Sequence, residues 1–190
     1  LENQETEFSL MSDPILLGLS GSLRQSATNR KLLREAARLF DPASFVEADL
    51  NLPLYDGDVE EGEGIPAAVQ TLSDQIAQAD AIIVSTPEYN KGPSGVLKNA
   101  LDWVSRTQGN PWAGKPVAVM SAAAGRAGGE RAQMVLRAYM VPFQPRILQG
   151  PEIHLANSSN EFDEQGKLTS DRYEKMLHTL MQKLRAEIGR

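Results

Sequence analysis

Residues 15–29 read ILLGLSGSLRQSATN, a short apolar run that breaks into hydroxyls, an amide and one arginine before a helix can begin. An apolar run this short, with no polar alternation, suits a strand covered on both faces, as in a parallel sheet. The predicted strand is residues 15–20. Either Thr28 or Asn29 can cap the helix that follows, whose Leu32, Leu33, Ala36, Leu39 and Phe40 recur at helical spacing.

The same alternation repeats outward from this unit. Residues 45–49 read as a second strand. Residues 56–64 carry five acids and three glycines without a period and are expected to be a solvated loop rather than a metal site. A helix should follow Pro66 and end before Asp80, and residues 81–85 form a third buried strand. Val96, Leu97, Ala100, Leu101 and Val104 define the next helix, with Lys98, Asn99 and Asp102 off its apolar stripe. Residues 117–120 give a fourth strand, 129–140 a helix and 146–148 the start of a fifth strand. The last helix begins near Ser170, with Met176, Leu177, Leu180, Leu184 and Ile188 turned inward. Strands alternating with helices specify an α/β fold in three layers, a five-stranded parallel sheet in the order 2-1-3-4-5. In that order the ligand crevice lies at the carboxyl ends of the strands, where the loops after strands one, three and four converge.

Composition narrows the partners. The 190 residues carry 19 Lys and Arg against 25 Asp and Glu, so the net charge of −6 offers no broad attraction to nucleic acid or to anionic lipid. The absence of Cys excludes disulfides, thiolate catalysis and thiolate metal ligation, and it suits a reducing cytoplasm. No apolar run approaches the roughly 20 residues needed to span a bilayer. Residues 1–10 are polar, precede Met11 and show no period, so they are expected to be an expression remnant or a disordered arm, leaving one domain over residues 11–190. Neither His154 nor His178 has neighbours that suggest a base or a metal ligand, and Trp103 and Trp112 read as packing groups.

Three loops carry the chemistry. The first runs from Ser20 through Gly21, Ser22, Leu23, Arg24, Gln25, Ser26, Ala27 and Thr28 to Asn29. Hydroxyls, a fixed positive charge and a helix N-terminus after a buried strand together suit a phosphomonoester. The alternative is that Ser and Thr only cap the helix and Arg24 is a surface charge. The loop has neither the Walker Lys-Ser/Thr pair nor the G-x-G-x-x-G spacing. The second loop, residues 85–95, holds two prolines and two glycines around Glu88, Tyr89 and Asn90, a rigid turn on which Tyr89 can form a wall or simply pack. The third, residues 121–129, is built from Ser121, alanines and glycines with a single charge at Arg126. Its small side chains let a flat ring approach backbone N–H groups, while Arg126 could stabilise charge, face solvent or meet a subunit.

The motifs GSLR at residues 21–24, PEYN at 87–90 and GVLKNALDW at 95–103, in this order and each at a strand end, resemble those of the NAD(P)H-dependent FMN reductases. That family includes bacterial quinone, azo-dye and chromate reductases, and the resemblance covers residues 15 to about 154. It implies a flavodoxin-like sandwich that takes electrons from NADPH or NADH on FMN and passes them, by ping-pong transfer, to a quinone, an azo compound or free flavin. It implies that Ser22, Arg24 and Asn29, with Ser20 beside them, hold the FMN phosphate and that Pro87, Glu88, Tyr89 and Asn90 border the ring. Ser121 and the glycines after it, beginning with Gly125, would contact the ring's other side. Many members carry Ser two residues before the loop asparagine; Ala27 stands there in this chain, leaving Ser26 or Thr28 to supply that hydroxyl. Because the cofactor carries the hydride chemistry, no catalytic side chain is named. The resemblance also points to a homodimer or homotetramer, with residues 137–143 around Tyr139 as a contact surface. Two other roles fit a flavin-binding fold of this kind: an electron carrier serving protein partners, and a reductase that releases reduced FMN to a monooxygenase. A phospho-accepting regulatory domain shares the sheet order, but it needs acids where this chain has Gly-Ser and Ser-Thr-Pro.

Overall fold

Neighbouring residues of a strand point to opposite faces, so an apolar run stays dry only if both faces of its sheet are covered. In the computed structural model, which describes residues 14–190, both are covered; the arm expected over residues 1–10 lies outside these residues. The elements run β1 (Ile15–Ser20), α1 (Thr28–Phe40), β2 (Ser44–Glu47), α2 (Gly57–Glu63), α3 (Ala67–Gln78), β3 (Ala81–Thr86) and α4 (Gly95–Val104). They continue with β4 (Pro116–Ala122), α5 (Glu130–Met140), β5 (Arg146–Ile147), β6 (Ile153–Leu155) and α6 (Asp171–Ala186). The sheet is parallel in the order β2-β1-β3-β4-β5, as the alternation requires, with β6 also paired to β4.

Leu16 of β1 and Ile83 of β3 face α1 and α6, where they pack on Leu33, Phe40, Leu177 and Leu184. Leu17 and Ile82 face the other layer, built by α3, α4 and α5 around Leu72, Leu101 and Leu136. Trp112 is buried in that second layer, where it packs. His154 lies half-buried on β6 and His178 is exposed on α6.

Three local expectations change. First, α1 begins at Thr28 as expected, but its N-cap is Ala27, one residue before Thr28 and two before Asn29; Ala27 makes no side-chain capping bond, and Thr28 and Asn29 sit inside the helix. Second, residues 57–63 form the short helix α2 instead of a loop. The Asp56 carboxylate accepts from the Asp58 N–H, and Arg106 reaches across from beyond α4 to Glu60 at 3.0 Å. That guanidinium holds the Glu60 carboxyl below the usual carboxylate range, and Glu60 in turn pushes the Tyr55 hydroxyl up. A tertiary ion pair is invisible to a periodicity reading. Third, the fifth strand is two pieces: β5 pairs with Pro116 and Val117, and β6 pairs with Met120, Ser121 and Ala122.

Candidate active site

Register aligns the strand ends that carry the three loops. Ser20 lies opposite Ser85, and Thr86 opposite Ser121, so β1, β3 and β4 release their chains at one level of the sheet. The Gly21 N–H donates to the Ser85 carbonyl at 2.8 Å, and a Cβ on Gly21 would meet Pro87, Leu97 and Ser94 within about 3 Å. Only glycine lets the first loop lie this close to the second.

Asn29 fastens the arrangement. It is buried in the first turn of α1, its Oδ1 accepting from Ser85 Oγ at 2.8 Å and the Ala122 N–H at 3.0 Å, its Nδ2 donating to the Ala122 carbonyl at 2.9 Å. One amide thus ties the start of α1 to the ends of β3 and β4, using both donor and acceptor capacity. Ser20 works locally: it is buried, and its hydroxyl donates to the Ser22 carbonyl and accepts from the Ser22 N–H.

A cleft of about 370 Å³ opens above these ends. From the first loop Ser22, Arg24, Thr28 and Asn29 line it, and from the second Pro87, Glu88 and Tyr89. Ser26, on the outer side of the turn closed by Ala27 N–H to the Arg24 carbonyl, does not reach it. Of the two hydroxyls that could replace the family serine, Thr28 is the one at the cleft. Its Oγ1 lies 3.0 Å from Ser158 Oγ, and Ser158 and Ser159 complete the wall. Sequence reading missed this pair, which follows β6 and far precedes α6 in an aperiodic stretch; two adjacent hydroxyls after a strand were its only signal.

The second loop is a tight hairpin in which Tyr89 and Gly92 exchange backbone hydrogen bonds. Asn90 and Lys91 occupy its central positions at φ 51° and 69°, the left-handed geometry of a two-residue turn. Tyr89 is 57 % exposed and stands as a wall, whereas Asn90 forms the tip and does not line the cleft. Glu88 reaches past the third loop to α5, where its carboxylate accepts from the Ala132 N–H in the first turn.

Ser121, expected against a bound ring, is fully buried instead. Its hydroxyl donates to the Gly128 carbonyl at 2.6 Å and accepts from Gln133 Nε2 at 2.8 Å, so its side chain holds the third loop from beneath. Ala122, Ala123 and Ala124 present that loop to the cleft, while Gly125 lines a neighbouring cleft of about 560 Å³ that shares Glu88, Ala123 and Ala124 with the first.

Backbone donors without partners collect at this end of the sheet. The N–H groups of residues 23–26 and 124–127 make no hydrogen bond to the described residues, and Ala27 leaves those of Thr28 and Asn29 uncapped. The Arg24 side chain likewise makes no bond or ion pair there. Such a lining matches a ligand rich in acceptors and negative charge. Among the described residues no group of three or more His, Asp or Glu is placed to hold a metal ion, and no helix is long and apolar enough to cross a membrane.

The family model described as NADPH-dependent FMN reductase matches residues 14–159. The chain is similar to a NAD(P)H-dependent FMN reductase of Pseudomonas aeruginosa, 43 % identical over 183 residues, covering 95 % of this chain and 98 % of the relative. It is 39 % identical over 150 residues to a quinone reductase of Escherichia coli, covering 77 % of this chain and 80 % of the relative. Among solved structures it resembles the flavoenzyme NAD(P)H:(acceptor) oxidoreductase FerB from Paracoccus denitrificans, with a TM-score of 0.81 and 29 % identity over 90 % of this chain and 94 % of that one.

Proposed function

Because this chain belongs to the NADPH-dependent FMN reductases, whose family model spans residues 14–159, we infer that it is an NAD(P)H-dependent flavin oxidoreductase that binds FMN and reduces quinones. The observation that carries this reading is the unsatisfied start of α1. Ala27 makes no side-chain capping bond, Thr28 and Asn29 line the cleft, and so does Arg24, which is exposed and makes no ion pair or side-chain hydrogen bond among the described residues. A helix N-terminus with a nearby guanidinium is suited to a phosphate dianion. The donor set therefore fits FMN, with Ser22, Arg24 and Thr28 holding the phosphate and Asn29 positioning them.

When bound, FMN supplies the two-electron chemistry that links nucleotide to quinone. The chain binds, orients and polarises. Pro87 and Tyr89 would border the flat ring, and the small residues 122–124 would let it approach the unbonded Ala124 N–H, which would favour negative charge developing on it. Nucleotide and acceptor take turns at the first cleft, so initial-rate lines for the two substrates run parallel.

The active form in this reading is a homodimer or homotetramer, drawing on the cytoplasmic pool of reduced nucleotide. Met134, Tyr139 and Val141 are exposed apolar groups on and just after α5, a surface that a second copy would cover. The visible spectrum of the purified protein tests the reading. A flavin spectrum that survives dialysis, or returns on adding FMN, is expected; a protein that takes up no FMN at micromolar concentration would overturn it.

A further inference from the structure

Most arginines of this chain are engaged. Arg30, Arg34, Arg38, Arg106, Arg137, Arg146, Arg185 and Arg190 each make an ion pair or hydrogen bond. Among the described residues only Arg24, Arg126, Arg131 and Arg172 make neither. Three of these four line the two clefts, Arg24 in the first and Arg126 with Arg131 in the second. Arg24 is accounted for by the FMN phosphate, but the second cleft's cations have no such role.

The second cleft lies beside the first and shares Glu88, Ala123 and Ala124 with it. Its floor of alanines and glycines admits an extended group, and the unbonded N–H groups of residues 124–127 face no competing acceptor within the described residues. Lys91 joins the two arginines at its rim. Two carboxylates oppose them: Glu88, already accepting from the α5 backbone and 4.0 Å from Lys91, and Glu130. The cleft therefore carries a local excess of positive charge in a chain whose net charge is −6. Such an excess next to a substrate cleft attracts an anion.

We propose that this second cleft is the phosphate-binding site for the nicotinamide nucleotide, with Arg126 as its principal ligand and Arg131 and Lys91 adding to the field. The assignment rests on the flavin reductase reading, since the nucleotide's nicotinamide end must reach the first cleft while its phosphates lie in the second. Arg126 sits in the turn closed by the Gly128 N–H on the Gly125 carbonyl and lines the second cleft beside the alanines shared with the first.

The test is calorimetric titration of the FMN-loaded, oxidised protein with NADP⁺ and NAD⁺, comparing wild type, Arg126→Ala and Arg172→Ala. Arg172, the fourth unpaired arginine, lines neither cleft and serves as the control. Loss of one charge-assisted contact should weaken nucleotide binding about tenfold in Arg126→Ala. Arg172→Ala should bind as wild type, and the KM for quinone should stay unchanged in both variants. Weakening of NADP⁺ alone identifies the 2′-phosphate as the group held, and equal weakening of both nucleotides identifies the pyrophosphate. An Arg126→Ala protein that retains FMN and binds both nucleotides as wild type does would overturn the proposal. The absorbance of bound flavin separates the two failures: a wild-type protein without FMN would overturn the underlying reading and this assignment with it.

Discussion

At the scale of single residues, an alanine at the N-cap of α1 leaves the helix about 1 kcal/mol short of what a Ser, Thr, Asn or Asp cap contributes. The sacrifice makes sense if the uncapped N–H groups serve a ligand, since a capping side chain would compete with a phosphate for them. In that reading Arg24 would be a phosphate-specific contact. Charge-assisted hydrogen bonds contribute roughly 1.5 to 3 kcal/mol each, so Arg24→Ala should weaken FMN by at least about tenfold and leave riboflavin nearly unaffected. Quenching of flavin fluorescence on titration measures both, and equal losses would show that Arg24 does not read the phosphate. Asn29 belongs to a different class. Its buried amide joins three segments, so its replacement should be felt in stability before it is felt in ligand choice.

At the scale of elements, the turn from β4 into α5 is fixed by close packing on β6. Gly128 has φ 60°, and a Cβ there would sit 2.4 Å from the backbone carbonyl of His154, a contact that only backbone movement could relieve. Gly128→Ala should therefore cost about 2 to 3 kcal/mol in urea unfolding and should also weaken FMN, because the turn carries donors of both clefts. Unchanged stability would show that the turn relaxes freely. The strands and the meeting of the three loops were legible because buried parallel strands read as unbroken apolar runs, as 81–86 does, and because sheet order then dictates where their loops meet. What escaped reading depends on distant partners. Residues 57–63 become helical with Arg106 bound to Glu60, and Ser158 joins the cleft through Thr28, 130 residues away. Ser121 looked like a ligand-facing hydroxyl, and nothing in its neighbourhood announced that Gln133 would occupy it from the next helix.

At the scale of the whole molecule, a net charge of −6 favours dispersal, while the second cleft keeps a local excess of positive charge, Arg126, Arg131 and Lys91 against Glu88 and Glu130. The apolar groups at Met134, Tyr139 and Val141 lie outside both clefts and call for cover, with Lys98 of α4 poised 5.7 Å over the Tyr139 ring. Light scattering at micromolar concentration should give a dimeric or tetrameric mass, reduced by Val141→Glu; a monomeric mass with full activity would show that no partner subunit is needed. The central claim is enzymatic turnover, as opposed to electron carriage for a protein partner. It is tested most directly by following NADPH oxidation by the FMN-loaded protein with a small quinone as acceptor and no other protein present. Sustained oxidation over many turnovers, proportional to enzyme and matched mole for mole by quinone reduced, is the expected result. Bound FMN with no sustained oxidation until a protein partner is supplied would contradict it.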